Sequence, residues 1–436
     1  MITKSTERAL ALALFASLSI AVDTFGLVPA GRLGLATVLF LIFLKTYSTL
    51  AQASLEGLRV KVSQEGALEG RPLRVTFEIC NPFIIPIAFV ELSLRYPEYL
   101  KLSAGSPALL GAIPPRGCLS YSVSFLARVG EHEIGPLRAV FRDPLGIFRG
   151  TEIELGEKAL VRVKPRESEK LRRALFSISR SGGMLRTSRA GEGLEFLSTR
   201  EYVPGDDLRR VFWKALAKGR LAVKEFDRES TQYNLVLLAL GKDMLTGPYL
   251  QTPLEHAARV IAVLSRYFAE KGEQQALYLV NGDRLDGIKM VRGRKGYELT
   301  IRALSSVRLH DLLNQRETSV GKGTIARELL MTLPRERVNI IAITTMGSAR
   351  QLAEELKVLA ESGRCSVYMF LMVPQFYGVE TMSPMERAIF RIKSFQEILS
   401  MKDALKEIRK TGIKAVIVTP GDMARRIVMR LEMERM

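Results

Sequence analysis

The sequence predicts a multidomain protein: an N-terminal transmembrane helical hairpin, an antiparallel β-sandwich, then a doubly wound α/β domain. Three observations predict it. Two apolar runs open the chain, a period-two alternation follows, and strands then alternate with amphipathic helices.

The first apolar run, Ala9 to Val28, reads ALALALFASLSIAVDTFGLV and carries one charge, Asp23. A helix needs about 20 such residues to cross the hydrocarbon core. Pro29, Gly31 and Arg32 form a short turn, and Leu33 to Leu44 is a second run, continued past Lys45 by TYSTLAQASL. Lys45 must snorkel to an interface. A cleaved signal would be shorter and would lack the second run. Lys4 and Arg8 precede the first helix, and Lys45, Arg59 and Lys61 follow the second, whereas the turn has only Arg32. The positive-inside rule therefore places both ends inside: a cell-membrane protein with two spans and cytoplasmic soluble domains.

From about Leu58 to Lys164, segments such as LRVKVS, LRVTFEI, FVELSLRY and LSYSVSFLARV alternate apolar with polar residues between GRP, NPF, PPRG and DPLG turns. That is the pattern of an immunoglobulin-like antiparallel sandwich. From Tyr233, NLVLLAL, QALYLV, VNIIAIT, CSVYMFLMV and IKAVIVT read as buried strands separated by helices, the mark of a parallel central sheet. Ligand sites in such sheets lie at the carboxyl ends of the strands. The expected boundaries are 1–53 for the hairpin, 54–164 for the sandwich, 165–230 for a connector and 231–436 for the α/β domain.

The net charge of +18 suggests an anionic partner, but the basic residues are spread through the chain without interleaved aromatics. This disfavours nucleic acid. Cys80, Cys118 and Cys365 form no CxxC or Cys/His cluster. The three are neither a disulfide framework nor a zinc site, and Cys80 and Cys118, in or beside predicted strands, read as small buried hydrophobes. His132, His256 and His310 are scattered, and no nucleophile elbow is present.

The densest run of unusual residues lies in the connector: GEGLEFLSTREYVPGDDLRRVFWKALAKGRLAVKEFDRES. Pro204-Gly205-Asp206-Asp207 is turn chemistry, and either Asp would cap a helix starting near Leu208 that carries Arg209, Arg210 and Lys214. Trp213 would lie on or beside its apolar face. Arg200, Asp206, Asp207 and Arg209 can form a local brace, or the same surface can dock a partner, since Trp and Arg are favoured at binding hot spots. An acid/base or metal role for Asp206 and Asp207 has no nearby histidine to support it.

Gly193, Glu195, Phe196, Arg200, Tyr202, Pro204, Gly205, Asp206, Asp207, Arg209, Trp213, Lys214, Leu221, Val223, Lys224, Phe226 and Glu229 follow a pattern that resembles the domain of unknown function 58 family. A second match is RVGEHEIGPLRAVFRDPLGIF, with Arg128, Gly130, Gly135, Pro136, Asp143, Pro144, Gly146 and Phe148. The order of hairpin, sandwich, signature and α/β domain also looks like that family. The resemblance implies a von Willebrand factor A-like domain and a membrane-associated partner of a MoxR-type AAA+ ATPase, without known catalysis.

Metal-binding domains of that type carry D-x-S-x-S after the first strand, with a Thr and an Asp from later loops. Here the frame reads Ala239, Gly241 and Asp243, with Lys242 inside it; Thr324 matches the Thr, and the later Asp falls near Thr345. One carboxylate and one hydroxyl beside a lysine predict no metal, and no cofactor is implied. GKGT lacks the upstream glycine of a phosphate loop. The expectation is a membrane-anchored, non-enzymatic scaffold or adaptor working with the ATPase or a client protein, with no small-molecule substrate. The rival readings are a membrane-associated nucleic-acid-binding protein and a hydrolase using Asp206 or Asp207.

Overall fold

The computed structural model describes residues 4–26, 30–169, 171–173, 175, 190–204, 206, 207, 209, 211–216, 219–227, 232–282, 284–313, 324–377 and 383–435. The chain divides into two compact units: Met1–Lys164 with Ser305–His310, and Pro165–Leu304 with Asp311–Met436.

The first unit begins with a short strand, β1 (Lys4–Ser5), and two helices, α1 (Glu7–Thr24) and α2 (Gly31–Glu56). Small residues let the helices pack closely: Ala16 is buried, and a Cβ at Gly34 would stand 2.8 Å from the Ala16 carbonyl oxygen. Leu10, Leu14, Phe15 and Leu18 of α1 are exposed, as are Leu33, Leu35, Leu39 and Phe43 of α2. Among the described residues, α2 is the one helix both long and apolar enough to cross a membrane.

The two halves of α2 differ. The sequence reading assigns the segment after Lys45 to the hairpin, but there the helix turns from exposed to buried. Ala51 and Leu55 are fully buried in the core of the unit, the Tyr47 hydroxyl donates to the Pro86 carbonyl, and the Gln52 amide donates to Thr151. The polar residues TYSTLAQ are tolerated in one helix because half its length faces protein.

That core lies between two antiparallel sheets. One orders β2 (Arg59–Glu65), β3 (Pro72–Cys80), β7 (Cys118–Leu126) and β5 (Lys101–Ala104). The other contains β4 (Ile87–Leu94), β6 (Ala108–Ile113), β9 (Leu137–Arg142), β10 (Phe148–Arg149) and β11 (Ile153–Leu155), and β1 joins its edge against β10. A separate pair joins β8 (Gly130–Ile134) to β12 (Ala159–Val163). Alternation does the work expected of it: Leu73, Val75, Phe77 and Ile79 of β3 point inward beside Val90 and Leu92 of β4 and Val123 and Phe125 of β7. The buried Glu131 carboxylate accepts from Arg162 at 2.7 Å and from Arg308 at 3.0 Å, which ties the 305–310 segment into this unit.

The second unit contains a ribbon of β13 (Ala190–Glu201) against β14 (Ala222–Asp227), joined through a loop that holds one short helix, α3 (Trp213–Leu216). Its main sheet orders β17 (Arg284–Arg292), β16 (Gln274–Asn281), β15 (Tyr233–Leu240), β18 (Val338–Thr345), β19 (Cys365–Met372) and β20 (Lys414–Val418). All neighbours are parallel except β17, which turns back against β16. The centre of the sheet is parallel, and β17 adds an antiparallel edge that the sequence reading does not name. Its pattern, RLDGIKMVR, is half exposed and lacks the long apolar run of a central strand. The helices are α4 (Pro253–Glu270), α5 (Gly293–Ser305), α6 (Leu309–Leu313), α7 (Thr324–Thr332), α8 (Met346–Glu361), α9 (Pro384–Lys410) and α10 (Met423–Arg435). Helix α4 starts where the sequence says it should: Thr252 and Glu255 form a capping box, with Pro253 at the first position.

Candidate partner-docking site

The signature residues form a loop closed by the β13–β14 ribbon. Its two ends are held by backbone bonds from Tyr202 N–H to Leu221 and from Phe212 N–H to Ala222. Inside it, the Arg200 guanidinium grips Asp206 with both terminal nitrogens, at 2.7 and 2.5 Å. The same carboxylate accepts from Val203 N–H at 2.9 Å. The Arg200 hydrogen bonds, and then the Val203 N–H, hold the Asp206 carboxyl below the usual carboxylate range. Asp207 accepts from Arg209 N–H, and the Lys224 ammonium lies 5.4 Å from the centre of the Phe212 ring.

The helix expected near Leu208 falls on a stretch in which Leu208 and Arg210 lie outside the described residues; α3 begins at Trp213 and is one turn long. Asp206 is not a helix cap, because its oxygens are taken by Arg200 and by the backbone three residues earlier. Nor does Trp213 lie on an inward apolar face: it is 62% exposed, and Val203 and Leu221 in the same loop are also exposed. Pro204 and Arg209 are exposed, and Tyr202 is half-buried. Glu195 lies on β13, but its side chain, like Gly205 as a whole, is outside the described residues. Sequence reasoning singled out Trp213 but passed over the exposure of Val203 and Leu221. Their places beside Pro204 and at the start of a strand gave no exposure signal.

Residues 198–368 match the family model described as protein of unknown function DUF58. The likeness to the DUF58 family covers this stretch. No curated protein matches the chain. Among solved structures, an aerotolerance-related membrane protein from Bacteroides fragilis NCTC 9343 aligns at 18% identity and a TM-score of 0.24. The alignment covers 32% of this chain and 66% of that one, just under two thirds of its length. The GH20 exo-β-N-acetylglucosaminidase of Vibrio harveyi, as an inactive variant, aligns at 10% identity over 83% of this chain and 75% of that one, with a TM-score of 0.28. Its complex with N-acetylglucosamine gives 12% and 0.26 over the same shares. At these scores neither likeness carries an argument about fold or activity.

The DUF58 region also holds the degenerate metal frame, at the carboxyl ends of β15 and β18. Ala239 is buried and offers no donor, and Gly241 precedes a short turn in which Lys242 and Asp243 are exposed. A Cβ at Gly347 would run into the Asp243 carboxylate, so that glycine lets Asp243 approach the N-terminus of α8. Thr345 is buried and precedes α8, while Thr324 is exposed at the start of α7. One carboxylate beside a lysine and a helix start does not fit a divalent cation. His256, on α4, packs edge-on against Tyr377, and burial pushes its imidazole down to about 4.

In the other unit, the reading of Cys80 and Cys118 as buried hydrophobes is corrected. They face each other across β3 and β7 with Cα atoms 4.0 Å apart, and their sulfurs are bonded. Sequence spacing could not reveal this, because 38 residues separate them and only strand register brings them together. Among the described residues, the group Glu78, Cys80 and Cys118 could otherwise hold a metal, but the disulfide uses both sulfurs.

Proposed function

We propose that the protein is a membrane-anchored, non-enzymatic scaffold or adaptor whose DUF58 region docks a MoxR-type AAA+ ATPase or its client. The observation that carries this reading is Trp213, largely exposed beside Val203 and Leu221 on a loop that the Arg200–Asp206 pair holds in shape. Trp and Arg are the residue types favoured at binding hot spots, and both stand exposed in this loop. The strand order β17-β16-β15-β18-β19-β20, with one antiparallel edge, supports a von Willebrand factor A-like domain. Two sheets sharing one apolar core support a β-sandwich before it. The poor donor set at Ala239, Gly241 and Asp243 favours docking without a bridging metal.

Two helices inserted as a hairpin would fix this assembly in the cell membrane. The exposed apolar stretch of α1, Leu10 to Phe25, rises roughly 22 Å, against about 30 Å for a hydrocarbon core. The bilayer would thin around it or the turn would stop short of the far interface.

The test is binding of the full chain in nanodiscs to the MoxR-type ATPase of the same organism, with ATP or ADP, with and without chelator. A fragment starting at Ser54 would cut Ala51 and Gln52 out of the β core, so the whole chain is used. Saturable, chelator-insensitive binding that weakens at least tenfold in Trp213→Ala, with folding intact, is the expected result, since a hot-spot side chain contributes about 2 kcal/mol or more. Absence of binding in every nucleotide state would sink the ATPase reading. Strongly salt-dependent nucleic-acid binding would then promote the rival reading.

A second reading concerns orientation. The Lys and Arg flanks favour cytoplasmic domains, but the Cys80–Cys118 bond is of a kind that persists in oxidising compartments, or inside cells of hyperthermophiles. Labelling of a single cysteine placed at Trp213 with a membrane-impermeant reagent, in intact and in opened cells, separates the two.

A further inference from the structure

The Cys80–Cys118 pair stands on the outer face of its sheet, with Cys118 exposed and Cys80 half-buried. Alternation along β3 puts Glu78 on that same face, two residues before Cys80, while Phe77 and Ile79 point into the core. Register sets Cys118 of β7 directly opposite Cys80. The two sulfurs and a Glu78 carboxylate oxygen therefore lie within 4.8 Å of one another. Two thiolates and one carboxylate are a donor set for zinc, which takes sulfur and oxygen ligands in a tetrahedron and can leave its fourth place to water. Donor atoms sharing one such ion stand about 3.5–3.8 Å apart. Gathering these three takes rotation of side chains rather than movement of strands.

The frame around the pair does not depend on the sulfur bond. Strands β3 and β7 pair along the whole of β3, from Pro72 opposite Leu126 to Cys80 opposite Cys118. Just beyond the pair, Asn81 N–H donates to the Gly117 carbonyl at 2.9 Å. The buried Asn81 side chain donates to the Ile85 carbonyl at 2.9 Å and to the Pro114 carbonyl at 3.4 Å, which fixes the turn after β3. On the other flank, Arg59 of β2 stands opposite Cys80 and Lys61 opposite Glu78, both exposed. Zinc held by two thiolates and one carboxylate carries one net negative charge, and these cations offset it.

We infer that Glu78, Cys80 and Cys118 form a zinc site that the disulfide closes and its reduction opens. The reductant is a thiol. Its thiolate attacks the exposed Cys118 sulfur, the S–S bond breaks, and Cys80 leaves as a thiolate. A second reductant thiolate then displaces Cys118. The reductant departs as its own disulfide, and the two cysteines keep the electron pair and two protons. Zinc binding releases those two thiol protons to solvent. The soft sulfurs select zinc over magnesium or calcium, which take oxygen ligands.

The test uses the full chain in mild detergent, untreated or reduced with a phosphine, which is oxidised to the phosphine oxide and then removed without air. Cadmium is titrated in, and the ultraviolet sulfur-to-cadmium charge-transfer band is followed. The reduced chain should bind one cadmium ion that zinc displaces, and the untreated chain none. Cys118→Ser should abolish the band. Glu78→Gln, on the sheet surface, should keep the fold and weaken binding at least about tenfold, the loss that even a partner of a ligand causes. Cys365→Ser removes the remaining thiol and should change nothing. Zinc should raise the Tm of the reduced chain and leave that of the untreated chain unmoved. No band in the reduced chain, an equal band in Cys118→Ser, or full affinity in Glu78→Gln overturns the site. Loss of the β-sheet circular dichroism on reduction overturns it as well, since the frame would then not outlast the bond.

Discussion

In the loop from Arg142 to Arg149, the Asp143 carboxylate accepts from Ile147 N–H at 2.7 Å and from Phe148 N–H at 3.1 Å, and the whole side chain is buried. In the loop from Tyr202 to Leu221, the Asp206 carboxylate likewise accepts a backbone N–H, from Val203, but its second partner is a half-exposed arginine. Both loops are closed by an aspartate folding back onto the chain. They differ in surroundings. The first loop packs Ile147 and Phe148 against Ala9 and Leu44 of the two N-terminal helices, leaving Leu145 exposed. The second turns Val203, Trp213 and Leu221 outward. The same local device serves packing in one place and presentation in the other, so substitutions should separate the two.

The largest effect is expected at Asp143. Asp143→Ala strips a buried loop of its acceptor and should destabilise the first unit by about 3 kcal/mol, read as a fall in the denaturant midpoint with an unchanged slope. A loss under 1 kcal/mol would mean that the loop is held by apolar packing alone.

Removing the cross-strand bond comes next. Cys80→Ser with Cys118→Ser opens a 38-residue loop and should cost about 2–4 kcal/mol. The same loss should appear in the unaltered protein on reduction, and no change on reduction would contradict a stabilising bond.

A third effect depends on pH. His132 is fully buried, with Nε2 2.6 Å from the Arg128 carbonyl, and burial pushes its imidazole down to about 4. In the unfolded chain it takes a proton near pH 6.5. The unfolded state therefore binds the extra proton first as the pH falls. Stability should drop by at most about 1.4 kcal/mol per pH unit from His132 between pH 6.5 and about 4, and be fully retained above. Melts of wild type and His132→Phe across that range check it: the substitution should flatten the slope whatever it does to stability at pH 7.

The smallest change in stability is expected at Asp206. Its pair with Arg200 is largely solvent-facing, so Asp206→Ala should leave the melt close to that of the wild type. Binding to the proposed partner should nonetheless weaken, because the loop that presents Trp213 loses its brace. A large stability loss without a binding loss would reverse the comparison.

Much of this fold was legible in the residues. Alternation in LRVTFEI and LSYSVSFL marked strands whose inward residues are the observed core, since a strand with one buried face can place apolar side chains only every second position. NLVLLAL and VNIIAIT marked central strands because both faces are covered. The antiparallel edge strand was missed because RLDGIKMVR reads as exposed loop until a neighbour pairs with it. The helix expected near Leu208 falls on a stretch where Leu208 and Arg210 lie outside the described residues; of its two candidate caps, Asp206 pairs with Arg200 and Asp207 accepts from Arg209 N–H.

By itself, then, the sequence determined what depends on local period and local chemistry: two apolar helices and the order of alternating and continuous strands. Only the tertiary structure decided what depends on which distant residues meet. Register joined Cys80 to Cys118, packing buried the second half of α2 and left the first half exposed, and the Asp143 loop brought Phe148 under Lys45. Periodicity records the environment of a residue along one element, whereas a bond, a groove or an ion pair between elements is set by the free energy of the whole packed unit.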